Sequence, residues 1–191
     1  MPKITWKPGT MLYPVPVVMV TCGSVPKDYN IITVAWTGTV CSNPAMTYIS
    51  IKPERYSYEI IKNSGEFVIN LTTEKLVRSA DYCGVKSGRN VDKFTETGLT
   101  PGKSKKVKCP VIEESPVNIE CRVKKIIKLG SHDMFLASVV AVDADEKYID
   151  KEGKFKLDEA GIVCYSHGQY CGLKKPVGRF GFSVKKKCRR K

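Results

Sequence analysis

One stretch of the chain concentrates groups able to hold a ligand: Thr33 to Ser57, reading TVAWTGTVCSNPAMTYISIKPERYS. Its first half is rich in small and hydroxyl side chains: Thr33, Ala35, Thr37, Gly38, Thr39 and Ser42. Such residues leave backbone open to a flat ligand, and amides in a turn can give a planar ring several donors and acceptors. Trp36 is either a core side chain or a stacking partner for such a ring. Cys41 reads as a small buried residue rather than a redox thiol. The second half ends in Lys52-Pro53-Glu54-Arg55-Tyr56-Ser57, at the predicted start of a helix. A helix N-terminus offers free N–H groups, and Arg55 offers a fork for phosphate oxygens. Ser57 either caps that helix or bonds a phosphate, and a plain N-cap beside a surface arginine is the competing reading. Further on, Arg89 and Lys93 could reach an anionic cofactor or simply be exposed. His132 is a proton donor or a surface hydrogen-bonding residue.

Self-sufficient catalytic machinery is missing. There is no G-x-S-x-G, H-E-x-x-H, P-loop or G-x-G-x-x-G. Gly84 to Asn90 (GVKSGRN) follows a predicted helix and so lacks the strand-to-helix setting of a phosphate fingerprint. None of the eight cysteines stands at C-x-x-C spacing, and His132 and His167 have no histidine partner at metal-site spacing, so no metal is expected. An enzyme built this way leaves the chemistry to a cofactor.

The elements that must position these residues are mostly strands. Tyr13 to Cys22, Ile31 to Trp36, Met46 to Ile51, Phe67 to Leu71, Val117 to Leu129, His132 to Asp143 and Ile162 to Ser166 are apolar, β-branched or alternating. Val117–Leu129 and His132–Asp143 pair as a hairpin through Gly130 and Ser131. Helices are predicted over Ser57–Asn63, stopped by Gly65, and over Thr73–Tyr82. Cys83 to Ser104 reads as a long surface loop, and Lys103, Lys105, Lys106 and Lys108 as a solvated face. The sum is a mostly-β chain, a small antiparallel barrel with short inserted helices.

Composition agrees with one substantial core. The chain has 191 residues, 42% of them hydrophobic and 27% charged, which excludes disorder and rod-like folds. No apolar run approaches the ~20 residues of a membrane helix. Met1 to Pro8 carries no apolar segment behind its lysines, so a cytoplasmic location with reduced cysteines is expected. The net charge is +13, of which nine positives follow Glu159, the last acid: Lys174, Lys175, Arg179, Lys185, Lys186, Lys187, Arg189, Arg190 and Lys191. Such a tail is a solvated end or a hold for an anionic partner. A nucleic-acid-binding barrel would need aromatics interleaved with basic residues, and only Tyr48, Tyr56 and Tyr58 cluster that way.

The order of these pieces resembles the flavin reductase-like family, the flavoredoxins and their relatives. Tyr13-Pro14-Val15-Pro16-Val17-Val18 through Cys22-Gly23 is similar to the family's first strand. Ile32 to Trp36 and Ser42-Asn43-Pro44 resemble its flavin-contacting turn, and Arg55, Ser57 and Ser64 to Leu71 its next helix and strand. Val91-Asp92-Lys93-Phe94 to Gly98-Leu99 resembles a loop motif, and Leu129 to His132 with Val139 and Val140 the hairpin. The resemblance spans roughly residues 10 to 170, leaving 171–191 as a basic C-terminal extension. It implies an FMN-binding split β-barrel and a homodimer with non-covalent FMN beside the subunit interface. Thr33, Ala35, Trp36, Thr37, Cys41 and Ser42 would then face the isoalloxazine ring. Ser50, Ile51, Arg55, Tyr56 and Ser57 would take the ribityl phosphate, with Arg89 and Lys93 within its reach. His132 would lie on the nicotinamide side of a reductase using NADH or NADPH, and other members relay electrons with redox-protein partners. The chain departs from the family in Ser131, where an acidic residue often precedes the histidine, and in its basic tail. A basic β-barrel that binds nucleic acid and a flavin binder without turnover are the alternatives.

Overall fold

The computed structural model describes residues 1–184. Lys185, Lys186, Lys187, Arg189, Arg190 and Lys191, six of the nine basic residues of the expected extension, lie outside the described residues.

Seven strands make one antiparallel sheet: β2 (Val18–Cys22), β3 (Asn30–Val34), β4 (Thr37–Ser42), β5 (Ala45–Ile51), β6 (Glu66–Leu71), β9 (Val117–Lys128) and β10 (Asp133–Ala144). Their spatial order is β3-β2-β6-β9-β10-β5-β4. Val18, Val20 and Cys22 of β2, Ile32 and Val34 of β3, and Ile49 and Ile51 of β5 share one buried cluster with Phe67 and Phe135. Strands from opposite ends of the sheet thus meet over one interior, and the sheet curls into a split barrel. Helix α1 (Tyr56–Ser64) closes it by inserting Tyr58 and Ile61. Two register shifts between β9 and β10 bend that long hairpin around the core.

Successive side chains of a strand point to opposite faces, and β2 is buried on both. Met19 turns outward into a second cluster with Ile31, Leu76, Ala80, Cys83, Phe94 and Leu99. That cluster is roofed by α2 (Val77–Val85) and α3 (Lys93–Thr97). A short pair, β7 (Pro101–Gly102) with β8 (Val111–Ile112), lies beyond. A three-stranded sheet joins β1 (Val15–Pro16), β11 (Val163–Ser166) and β12 (Gln169–Gly172), so strand structure runs two residues past position 170.

Three expectations need correcting. Cys83–Ser104 is not a bare loop: Asp92 caps α3, accepting from the amides of Phe94 (3.0 Å) and Thr95 (3.3 Å), and Phe94 and Leu99 are buried. The expected open turn at Thr37–Ser42 is strand β4, paired with β5. The first strand is divided at Val17, so that its start pairs with β11 and the remainder with β3 and β6. All seven described cysteines carry free thiols.

Candidate functional site

The uncapped end of α1 begins the site. Arg55 occupies the N-cap position with extended backbone and no side-chain cap bond, so the first N–H groups are left to the adjoining cavity. The expectation that Ser57 caps the helix is not met. Ser57 sits inside the first turn, buried, and its hydroxyl accepts from the Asn30 Nδ2 at 2.7 Å. That bond joins α1 to the start of β3. The hydroxyl of Tyr58, one residue on, donates to the Asp133 carboxylate at 2.5 Å, which pushes the phenol up to about 12. The first turn of α1 is thereby fixed to β3 on one side and to β10 on the other.

Two cavities meet over this turn. One, ≈ 360 Å³, is lined by Asn30, Ile32, Glu54, Arg55, Tyr56, Ser57, Cys83, Gly84, Lys86, Ser87, Gly88, Arg89 and Lys93. The other, ≈ 160 Å³, is lined by Ile32, Thr33, Val34, Ala35, Trp36, Ser50, Ile51, Lys52, Arg55 and His132. They share Ile32 and Arg55, so they form one groove with a basic end and a flatter end. A wider recess of ≈ 950 Å³ beside α3 shares no lining residue with it.

Lys93 defines the basic end. It is 3% exposed, and its ammonium donates to the carbonyls of Ile31 at 2.7 Å and Cys83 at 2.6 Å. An ammonium has three donors, which leaves one for a ligand. Burial lowers its pKa, opposed by Cys83 and Cys22 and reinforced by Arg55. Among the described residues none of Lys86, Arg89, Arg55 or Lys93 forms an ion pair. A buried cation without a counter-ion is costly, and an anion in the groove would offset that cost.

Arg89, expected either to reach an anionic cofactor or to be exposed, is exposed and lines the basic cavity. Its Nη1 donates to the Glu54 carbonyl at 3.1 Å, and its guanidinium lies 5.5 Å from the Tyr56 ring centroid. Gly88 lets this loop lie flat, since a Cβ there would come within 2.2 Å of the Asn30 side-chain oxygen and 2.7 Å of the Tyr56 ring. Asn30, Lys86 and Gly88 were missed in sequence. Only Gly88, inside a glycine-punctuated loop, carried a signal.

At the flatter end, Thr33 and Ala35 contribute mainly backbone. The Thr33 hydroxyl is committed to the Ala80 carbonyl, and the Thr37 hydroxyl to the Tyr48 carbonyl at 2.6 Å. Trp36 is half-buried, lines the groove and has the Tyr13 ring centroid 6.2 Å away. The Ser50 amide donates to the Trp36 carbonyl at 2.8 Å, closing the groove floor. Cys41 and Ser42 are not brought there; they pair with Met46 and Ala45 near the hairpin tip. His132 is half-buried at the rim, its Nδ1 2.9 Å from the Ser131 hydroxyl. Desolvation lowers its pKa, with Lys52 and Arg55 adding to the effect against Glu54.

Tyr58 is buried against Phe135 and Tyr56 lies beside Arg89, so neither extends an exposed stacking row from Tyr48. No helix among the described residues is long and apolar enough to cross a membrane. They also include no group of three or more side chains able to hold a metal ion.

This donor set suits a flavin phosphate: one buried ammonium with a spare proton, one unpaired guanidinium and an uncapped helix start. They lie in line with a slot of backbone, indole and small side chains. Comparisons with known proteins bear on the family and the fold. The chain is 29% identical to flavoredoxin of Desulfovibrio vulgaris (Miyazaki F), with a TM-score of 0.88 over 96% of this chain and 100% of that one. It is 25% identical to flavoredoxin from Methanosarcina acetivorans, with a TM-score of 0.86 over 97% and 100%. An uncharacterized protein of Archaeoglobus fulgidus is 32% identical over 158 residues, 83% of this chain and 87% of that protein. With the flavin reductase like domain matching residues 10–174, the chain belongs to that family.

Proposed function

We propose that the protein binds FMN in this groove and works as a flavin-dependent oxidoreductase of the flavin reductase or flavoredoxin type. One observation carries the reading: the buried, carboxylate-free ammonium of Lys93 at the end of a groove whose other end is a flat slot. When bound, flavin supplies hydride or single-electron transfer. The chain's part is placement. Lys93, Arg55 and the first turn of α1 hold the phosphate. The backbone of Thr33 to Trp36 and Ile51 would flank the ring above a floor closed by the Ser50 amide, and an unpaired N–H there would favour added negative charge. His132, its pKa lowered, is neutral at pH 7 and can share a proton with a bound donor or acceptor. The donor is NADH, NADPH or a reduced redox protein, and the setting is cytoplasmic.

The functional unit is a homodimer. Met46 and Tyr48 of β5, Met134 and Leu136 of β10 and Ile127 of β9 are half-buried and share the sheet face opposite the core. That face runs into the groove through Ser50, which pairs with Met134. An apolar face next to a ligand slot suits a second copy.

The test is a fluorescence titration of FMN and riboflavin against wild type and Arg55→Ala. Charge-assisted bonds contribute about 1.5–3 kcal/mol, so the variant should bind FMN about tenfold to a hundredfold more weakly, given about 1.4 kcal/mol per decade. Riboflavin should bind both proteins alike. Anaerobic bleaching of the yellow protein by NADH or NADPH then separates a reductase from a passive binder. A colourless protein that binds neither flavin removes the proposal.

A further inference from the structure

We infer that Arg89 is a strap that selects a terminal phosphate, so that the groove takes FMN and refuses FAD. The inference rests on the flavin reading of the groove and extends it to a specificity-determining residue. Arg89 crosses between two loops. It starts on the segment after α2, donates to the Glu54 carbonyl (3.1 Å) on the segment before α1, and lies over the Tyr56 ring. Glu54, Tyr56 and Arg89 all line the basic cavity, so the bridge ties together the lips of that cavity.

Its loop is seated closely. Gly88 meets the Asn30 side chain and the Tyr56 ring with no room for a Cβ, and Asn30 is held by Ser57 at 2.7 Å. The strap is therefore built on the same bonds that fix the first turn of α1. A guanidinium so engaged is a wall first and a ligand second. Arg55, whose side chain makes no hydrogen bond or ion pair among the described residues, remains the free fork.

The charges point the same way. A phosphate monoester carries about −1.5 to −2 at pH 7, which matches Lys93 and Arg55 converging on one group. The ribityl phosphate of FAD is instead one half of a pyrophosphate, joined through an anhydride oxygen to a second phosphate that carries an adenosine, so it lacks the second charge of a monoester. In this proposal that continuation leaves the basic cavity on the side lined by Glu54, Tyr56 and Arg89, between the lips that Arg89 ties. Breaking the Arg89–Glu54 bond and the Tyr56 stack to let it pass removes two favourable contacts.

Equilibrium titrations of apoprotein with FMN, FAD and riboflavin test this, using wild type, Arg89→Ala, Arg89→Lys and Arg55→Ala. Wild type should bind FMN at least tenfold more tightly than FAD. Arg89→Ala should narrow that ratio to within about threefold. Arg89→Lys keeps the charge but loses the planar fork, so it should keep most FMN affinity and still narrow the ratio. Arg55→Ala should weaken FMN and FAD together and leave the ratio in place. Unchanged melting temperatures show that the variants are folded. Equal binding of FMN and FAD by wild type, or a ratio indifferent to both Arg89 variants, overturns the strap while leaving the flavin groove intact. Failure to bind any flavin overturns the groove and the strap together.

Discussion

Lys93 opens α3, yet its ammonium sits 2.6 Å from the carbonyl of Cys83 near the end of α2, sealed from solvent at the base of the groove. The contact links the two helices that roof the outer face of β2 and β3, and it places at the groove a cation with no carboxylate partner among the described residues. Lys93→Met keeps the length and apolar stem while removing the charge. FMN binding should weaken about tenfold to a hundredfold, from the loss of one charge-assisted bond of about 1.5–3 kcal/mol. Riboflavin titrated in parallel should bind as before. Equal losses for both flavins would mean that Lys93 shapes the groove and does not contact phosphate.

The same lysine gives FMN binding a pH dependence. Burial lowers its pKa in the free protein from 10.5, while a phosphate beside it would raise it again. The complex then binds more protons than the free protein, so FMN affinity should fall as pH rises through the lowered value. Cys22 and Cys83 face the same ammonium, but burial holds them at about 12 and about 11, so neither titrates first. For folding the sign is opposite. Unfolded Lys93 keeps its proton up to 10.5 while the folded apoprotein releases it earlier, so this group adds stability as pH rises across that interval. FMN and riboflavin dissociation constants measured from pH 7 to 10 check the binding effect. Riboflavin should stay flat relative to FMN, and Lys93→Met should abolish the difference.

A third outcome concerns the support of the barrel and leaves the groove alone. The carboxylate of Glu120 is fully buried and accepts from the amides of Lys105 (2.7 Å), Lys106 (2.6 Å) and Val107 (3.0 Å). Glu120→Ala strands those amides at a cost of about 3 kcal/mol, on the scale of one to three for each buried group left unpaired. At roughly 2–4 °C per kcal/mol for a chain this size, the melting temperature should drop by roughly 6–12 °C. FMN affinity should not change, because this loop lines no part of the groove. A melting curve beside an FMN titration reads both.

Glu120 also shows where sequence reasoning stops. Alternation along β9 puts Ile119, Cys121 and Val123 on one face and so points Glu120 away from the barrel, correctly. Alternation cannot say that the far face is itself covered, because what covers it is an irregular loop. The lysines of that loop are exposed as expected, while its backbone folds over a buried carboxylate. Lys93 was legible as a basic residue able to reach an anion, but its burial was not, for a related reason: its partners are main-chain carbonyls, which carry no residue signature. By contrast β5, β9, β10 and α1 with its Gly65 stop were legible, since periodicity and a left-handed C-cap (φ 68°) leave marks in composition. The hydroxyls of Thr33 and Thr37 were legible as polar groups in a ligand-like stretch but not as bonds to Ala80 and Tyr48. Cys41 and Ser42 sit too far along β4 to join the groove of their own chain.

That displacement bears on the dimer. Tyr48 lies over Gly38, where a Cβ would come within 3.2 Å of its ring, and with Met46, Met134, Leu136 and Ile127 it makes an apolar surface beside the slot. If a second copy covers that surface, one charge at its centre should undo both assembly and binding. Leu136 is the choice because its neighbours Phe135 and Ala137 face the core, so the substitution alters the outer face alone. Burying a glutamate there costs several kcal/mol in the dimer beyond what the cross-strand Lys125 offsets, and little in a solvated monomer. Leu136→Glu should therefore sediment as a folded monomer while wild type sediments as a dimer. FMN should bind that monomer more weakly because one side of the slot is then open to water. Leu136→Met, similar in volume, should keep both properties. Sedimentation velocity with and without FMN, beside a melting curve, measures assembly, binding and folding separately. A wild-type monomer that holds FMN at micromolar concentration would show that one chain completes the slot by itself.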